Sequence, residues 1–338
     1  MTSLSDLTTL ADVAALAATL PEADAAAREA ADARQMSLTK PPRALGRLED
    51  LAVFMAGWQK TDRPSITQAQ ALVFAGNHGI CARGVNPFPQ EVTAQMVANF
   101  RNGGAAINQL CRASGAELDV VELDLDTPTA DFTAGPAMTE AEVLEAMKAG
   151  ASAVPATTSV LVLGEMGIGN STVAAALAAA AFGGDAADWV GRGTGSDAEG
   201  KALKAKVIEE GRTLHADARG LGLLMAYGGR EQAAICGAVI EARARRIPVI
   251  LDGYICTAAV APLYAQDKRF LDHCIVGHQS AEPGHARLLA AMEKAPVLTL
   301  DMALGEGSGA ALALSILRGA LACHNGMATF SEAGVDSA

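Results

Sequence analysis

Aromatic residues are scarce, only 4% of the 338 residues, although half of the chain is hydrophobic. The apolar content is mostly Ala, Leu and Val, which suits helices packed tightly on parallel strands. Basic residues are also in deficit: 26 stand against 38 acidic ones, for a formal charge of −12. That balance argues against nucleic acid or an anionic membrane surface as the main partner. An anionic substrate must then be held by local donors. No uninterrupted apolar run reaches the roughly 20 residues of a membrane helix. Acids throughout the first 30 residues leave no basic-then-apolar leader pattern, so no signal peptide is expected. The six cysteines form no C-x-x-C and no regular spacing, and read as reduced thiols of a cytoplasmic protein. G-x-S-x-G, H-E-x-x-H and kinase signatures are missing, so common hydrolase and kinase chemistry has no support.

The length favours one large α/β domain with a smaller partner. Residues 5–36 are Ala-rich with interspersed acids and read as one or two amphipathic helices, the second opened by Pro21 and Asp24. Helical spacing resumes from Leu45 to Trp58. Short apolar runs then predict strands at 71–75, 117–125, 160–164, 247–251, 270–276 and 297–300, with residues 90–111 as helix. The alternation predicts a doubly wound parallel sheet. Polar and glycine residues follow the strands at Gly76-Asn77-His78, Gly164-Glu165, Asp252-Gly253, Gly277-His278 and Gly305-Glu306-Gly307. Ligands lie outside the carboxyl ends of such strands, so these loops are expected to converge on one cleft.

Val160 to Phe182 gives the sharpest local signal. A buried strand turns through Gly164, Gly167 and Gly169 into an Ala-rich helix, which is the layout of an anion cradle. The spacing is that of a P-loop, but Asn170 replaces the lysine, and no third glycine completes a dinucleotide fingerprint. One phosphate held by loop N–H groups and a hydroxyl is the functional reading; a helix-packing turn is the structural one. Gly191-Arg-Gly-Thr-Gly195 is a second glycine loop, with Lys201, Lys204 and Lys206 beyond it. Glu306 sits between glycines at the head of an apolar helix. It could be a general base with raised proton affinity or an acid complementing the helix dipole. His278 and His285 lack metal-ligand spacing, so no metal is expected.

Several separated motifs carry a resemblance. They are Lys40-Pro-Pro-Arg-Ala-Leu-Gly-Arg-Leu-Glu49, Gly84-Val-Asn-Pro-Phe-Pro-Gln-Glu-Val-Thr-Ala-Gln-Met-Val97, Gly164-Glu-Met-Gly-Ile-Gly-Asn-Ser-Thr172 and Gly191-Arg-Gly-Thr-Gly195. Asp252-Gly-Tyr254, Ser280-Ala-Glu-Pro-Gly-His285, Leu304-Gly-Glu-Gly-Ser-Gly309 and Met327-Ala-Thr-Phe330 follow. In this order and spacing the set resembles the nicotinate-nucleotide:dimethylbenzimidazole phosphoribosyltransferases of cobalamin lower-ligand assembly, over residues 37–335.

The resemblance implies transfer of phosphoribose from nicotinate mononucleotide to 5,6-dimethylbenzimidazole. The products would be α-ribazole 5′-phosphate and nicotinate, with anomeric inversion and without a cofactor. It implies a Rossmann-like, three-layer α/β/α domain over residues 63–302. A small helical domain would form from both chain ends, residues 1–62 and 303–338, and the assembly would be a homodimer. By family position Glu306 would be the base and Glu165 a second carboxylate at the ribose carbon. Gly167, Ile168, Gly169, Asn170, Ser171 and Lys204 would take the phosphate, and Ser280 the ribose–phosphate or nicotinate region. Gln90 and Leu304 would flank the benzimidazole. Ala303 stands where many members have arginine, and Asn77 where an acid is common. A same-fold transferase for another flat base, such as adenine or a phenol, and a non-catalytic nucleotide-binding protein are the rival readings.

Overall fold

Runs rich in Val, Leu and Ala become six strands in the computed structural model, which describes residues 4–193 and 195–336. They are β1 (Ala69–Ala75), β2 (Ala116–Glu122), β3 (Val160–Met166), β4 (Val249–Leu251), β5 (Cys274–Gln279) and β6 (Pro296–Thr299). The sheet order is β2-β1-β3-β4-β5-β6, and every neighbouring pair is parallel. Side chains alternate between faces with the two-residue period of a strand. On β1, Leu72 and Phe74 join one core while Ala71 and Val73 join the other; on β3, Leu161 and Leu163 oppose Val160 and Val162. The first core is closed by helices Glu140–Ser152, Asn170–Phe182 and Arg230–Ala244. The second is closed by Arg47–Gln59, Ala106–Ser114 and Ser308–Gly326. The three-layer α/β/α arrangement matches the expectation. No helix among the described residues is long and apolar enough to cross a membrane.

Four sequence expectations are corrected. The predicted helix over 90–111 is two helices, Glu91–Arg101 and Ala106–Ser114. It breaks at Asn102-Gly103-Gly104, where Gly103 takes φ +77°. The strand predicted at 270–276 begins later. Phe270 and Leu271 close a 3₁₀ turn capped by Asp267, and β5 runs on through Gly277 and His278, pairing His278 with Leu298 of β6. β4 is shorter than predicted, because Pro248 has no N–H for the ladder. β3 is longer: Phe74 pairs with Glu165 and Ala75 with Met166. Glu165 is therefore on the strand and not in the loop.

The two ends of the chain meet. Leu38 bridges Thr329, Thr39 N–H donates to the Ala328 carbonyl, and the Arg34 guanidinium donates to the carbonyls of His324 and Met327. The Lys40…Glu49 motif closes on itself, with its terminal residues forming a buried ion pair at 2.8 Å. The first residues act elsewhere: Leu4, Leu10 and Val13 pack into the first core, and Glu140 accepts the Leu10 N–H.

Candidate active site

The strand order reverses between β1 and β3, and a ligand crevice belongs at the carboxyl end of that switch point. A cavity of about 290 Å³ opens there. One wall is apolar, made by Phe88, Val92, Met96, Met166, Ile168 and Leu304. The others bring Gly167–Ser171, Asp252–Ile255, His278, Ser280, Glu282 and Glu306 together. Of the five loops expected to converge, those after β3 and β4 and the Gly305–Gly307 turn line the cavity directly. His278 reaches it from within β5, whereas Gly277 packs against Ala310. Gly76 to His78 lie one layer below: a Cβ on Gly167 would stand 2.6 Å from the Gly76 carbonyl oxygen and 2.9 Å from His78 Nε2.

The glycine loop opens helix Asn170–Phe182, which is buried along most of its length. Its conformation is held from outside by the Thr93 hydroxyl, which accepts the Ile168 N–H at 3.1 Å, and from within by the Gly167 carbonyl, which accepts the Asn170 N–H. Lys204, only 3% exposed on helix Ala198–Leu214, donates to the Ser171 hydroxyl at 3.3 Å. Burial lowers the proton affinity of this ammonium, and the nearby Glu282 carboxylate works against that fall. A helix N-terminus beside a buried lysine has the donors and the charge to take an anionic group. Of the second glycine loop, Thr194 lies outside the described residues. Gly193 is within them, and its N–H donates to Glu282.

Buried carboxylates line the same cavity. Glu165 is 4% exposed and accepts from the Asn170 amide. Burial, then the charges of Asp252 and Glu231, push its carboxyl up to about 8. Glu306 is 7% exposed, at the apex of a turn in which Gly305, Glu306 and Gly307 all take positive φ (86°, 65° and 90°). Glycine adopts that region freely, whereas Glu306 is held there against a modest cost. Burial raises the proton affinity of Glu306; the Ile107 N–H, 3.5 Å away, lowers it, and the Asp252 charge adds to the rise. A carboxylate with raised affinity, open to a cavity, has the properties of a general base near neutral pH.

The cavity therefore brings together Glu165, Gly167, Ile168, Gly169, Asn170, Ser171, Lys204, Ser280, Leu304 and Glu306. Gln90 is outside this set. It is half-buried at the N-cap of helix Glu91–Arg101 and donates its amide to the His78 carbonyl. Leu304 and Phe88 of the apolar wall are 57% and 47% exposed. Asn77 donates to the Leu125 carbonyl, a structural contact. His285 is occupied internally, its Nδ1 accepting from Ser280 N–H and its Nε2 lying 3.3 Å from the Thr257 hydroxyl. Sequence reasoning missed the individual roles of Asp252, His278, Glu231, His78 and Glu282. The polar residue directly after β4 was the available signal for Asp252. The His78–Glu231 pair, 3.1 Å apart and fully buried, gave none, because its members are remote in sequence.

A phosphoribosyltransferase family model matches residues 20–335. The nicotinate-nucleotide–dimethylbenzimidazole phosphoribosyltransferase of Rhodobacter capsulatus is 63% identical over 329 residues, 97% of this chain and 98% of that protein. Its namesake from Ruegeria sp. TM1040 is 58% identical over 98% of this chain and 99% of its own. The crystal structure of CobT from Thermus thermophilus superposes with a TM-score of 0.86 at 39% identity, covering 93% of this chain and all of that one.

Proposed function

This chain belongs to the nicotinate-nucleotide–dimethylbenzimidazole phosphoribosyltransferase family, and from that premise we propose how its cleft works. The enzyme transfers phosphoribose from nicotinate mononucleotide to 5,6-dimethylbenzimidazole. The nucleotide phosphate seats on Gly167 to Ser171 and on the Lys204 ammonium, with Ser280 beside the ribose. The benzimidazole lies along the Phe88, Val92, Met96 and Leu304 wall, with its N–H toward Glu306. Gln90 acts from behind that wall, through the backbone of His78.

The chemistry needs little help at the leaving group. The glycosidic bond to the pyridinium nitrogen breaks with its electron pair going to nicotinate, which departs without a proton. A benzimidazole nitrogen forms the new bond at the anomeric carbon with inversion, and the N–H proton passes to Glu306. Glu165 holds its proton until substrate arrives. The cationic pyridinium and the positive charge developing at the ribose carbon favour its ionised form, so on substrate binding Glu165 releases its proton to solvent and becomes an electrostatic partner. The homodimer and cytoplasmic setting implied by the sequence resemblance belong to the same reading.

The observation that carries this reading is the pairing, across one cavity, of the Lys204–Ser171 phosphate end with buried Glu306. Incubation with nicotinate mononucleotide and a panel of bases, followed by mass analysis, tests it. Nicotinate release that depends on dimethylbenzimidazole, with α-ribazole phosphate as product, is expected. Release that ignores the added base, or none, would contradict it. A preference for adenine or a phenol would reassign the acceptor.

A further inference from the structure

Glu306 takes its place from a residue that follows another strand. Asp252, first after β4 and 1% exposed, accepts the Gly307 N–H on Oδ2 at 3.1 Å and the Ala310 N–H on Oδ1 at 2.9 Å. The cap of helix Ser308–Gly326 is thus supplied in trans, since Gly307 at the N-cap has no side chain to serve. On its other side Asp252 faces His278 of β5, with Nε2 3.5 Å from Oδ1 and both side chains buried. Asp252 therefore ties the turn to the end of β4 through Gly307, and the helix that follows through Ala310; burial raises its own proton affinity, while His278 and these N–H groups favour its carboxylate form.

We propose that Asp252 is the positioning residue of the base: it clamps the Gly305–Gly307 turn in its reactive shape and sets a negative charge beside Glu306. This rests on the reading of Glu306 as general base. The groups facing the pair are Glu165 of β3, His278 of β5 and the Cys256 thiol of helix Tyr254–Ala259, with Glu231 of helix Arg230–Ala244 acting in turn on Glu165 and Cys256. Asp252 both bonds the turn and adds to the proton affinity of Glu306. A carboxylate that is only a helix cap would fix the turn. One that also acts on the base must move the pH dependence of turnover when its charge is removed.

The test is the Asp252→Asn enzyme, assayed by nicotinate release from pH 5 to 9, alone and combined with Glu306→Gln. Its kcat should fall about tenfold or more while KM for the nucleotide changes little. The acid limb of the kcat/KM profile for dimethylbenzimidazole should move to lower pH, because less negative charge faces Glu306. In the Glu306→Gln background the same change should cost almost nothing further. An unmoved acid limb, or an undiminished penalty in the double variant, would overturn the positioning role. Wild-type turnover in Glu306→Gln alone would overturn the general-base reading, and the positioning role with it. If Asp252→Asn is insoluble, Asp252→Glu, which keeps the charge but displaces the carboxylate from the two amides, should lower kcat with the acid limb still at its wild-type position; a wild-type kcat in that variant would overturn the clamp.

Discussion

Gly164 of β3 lies directly against the backbone of Glu306. A Cβ on Gly164 would stand 2.4 Å from the Glu306 carbonyl oxygen and 2.6 Å from the Gly307 nitrogen. Strand and turn are in backbone contact, so the glycine loop proposed for the phosphate and the turn of the proposed base share one support. Gly164→Ala must push them apart. Overpacking of this kind costs about 1–3 kcal/mol. The variant should show a lowered Tm and a fall in kcat larger than its rise in nucleotide KM. Unchanged turnover at reduced Tm would show that the contact serves stability alone.

Lys204→Ala should weaken the ground-state hold on the phosphate. A charge-assisted bond contributes roughly 1.5–3 kcal/mol, so KM for nicotinate mononucleotide should rise about tenfold or more. Steady-state kinetics with the nucleotide varied measure this. An unchanged KM with reduced kcat would contradict a phosphate role. Because Lys204 is buried and meets Ser171, thermal unfolding run alongside separates loss of binding from loss of structure.

Glu165 makes the free enzyme sensitive to pH in a defined direction. Its carboxyl keeps its proton to about pH 8 in the folded chain, against an ordinary value of 4.5. The folded state therefore binds this proton more tightly. The contribution to stability is fully present below the ordinary value and is lost as pH rises through about 8. Glu165→Gln removes the titration. The Tm of that variant minus the wild-type Tm should grow from pH 5 to pH 9 in the absence of nucleotide. A difference independent of pH would contradict the assignment.

Much of this was legible in the sequence, and the exceptions have physical causes. β1, β3 and the glycine loop stood out because buried parallel strands read as apolar runs ending at polar turns. Glu306 was legible because its glycine neighbours are contiguous with it. The run 270–276 misled because Phe270 and Leu271 are as buried in a 3₁₀ turn as they would be in a strand, and burial alone does not distinguish the two. The break at Gly103 lies within an otherwise apolar helical pattern. The Asp252 cap was invisible to local capping rules, which look within a few residues of the helix start, whereas this carboxylate arrives from β4. Gln90 sits in the right motif, yet its amide turns to the His78 carbonyl instead of the cavity.

The central claim is that Glu306 takes the acceptor's proton, and single-turnover formation of α-ribazole phosphate by Glu306→Gln tests it most directly. Glutamine keeps the size of the side chain and can still accept from Ile107 N–H. The account predicts wild-type Tm and nucleotide affinity with a rate lowered by about 10²- to 10⁴-fold, the scale of a lost general base. A single-turnover rate within a few-fold of wild type would contradict it.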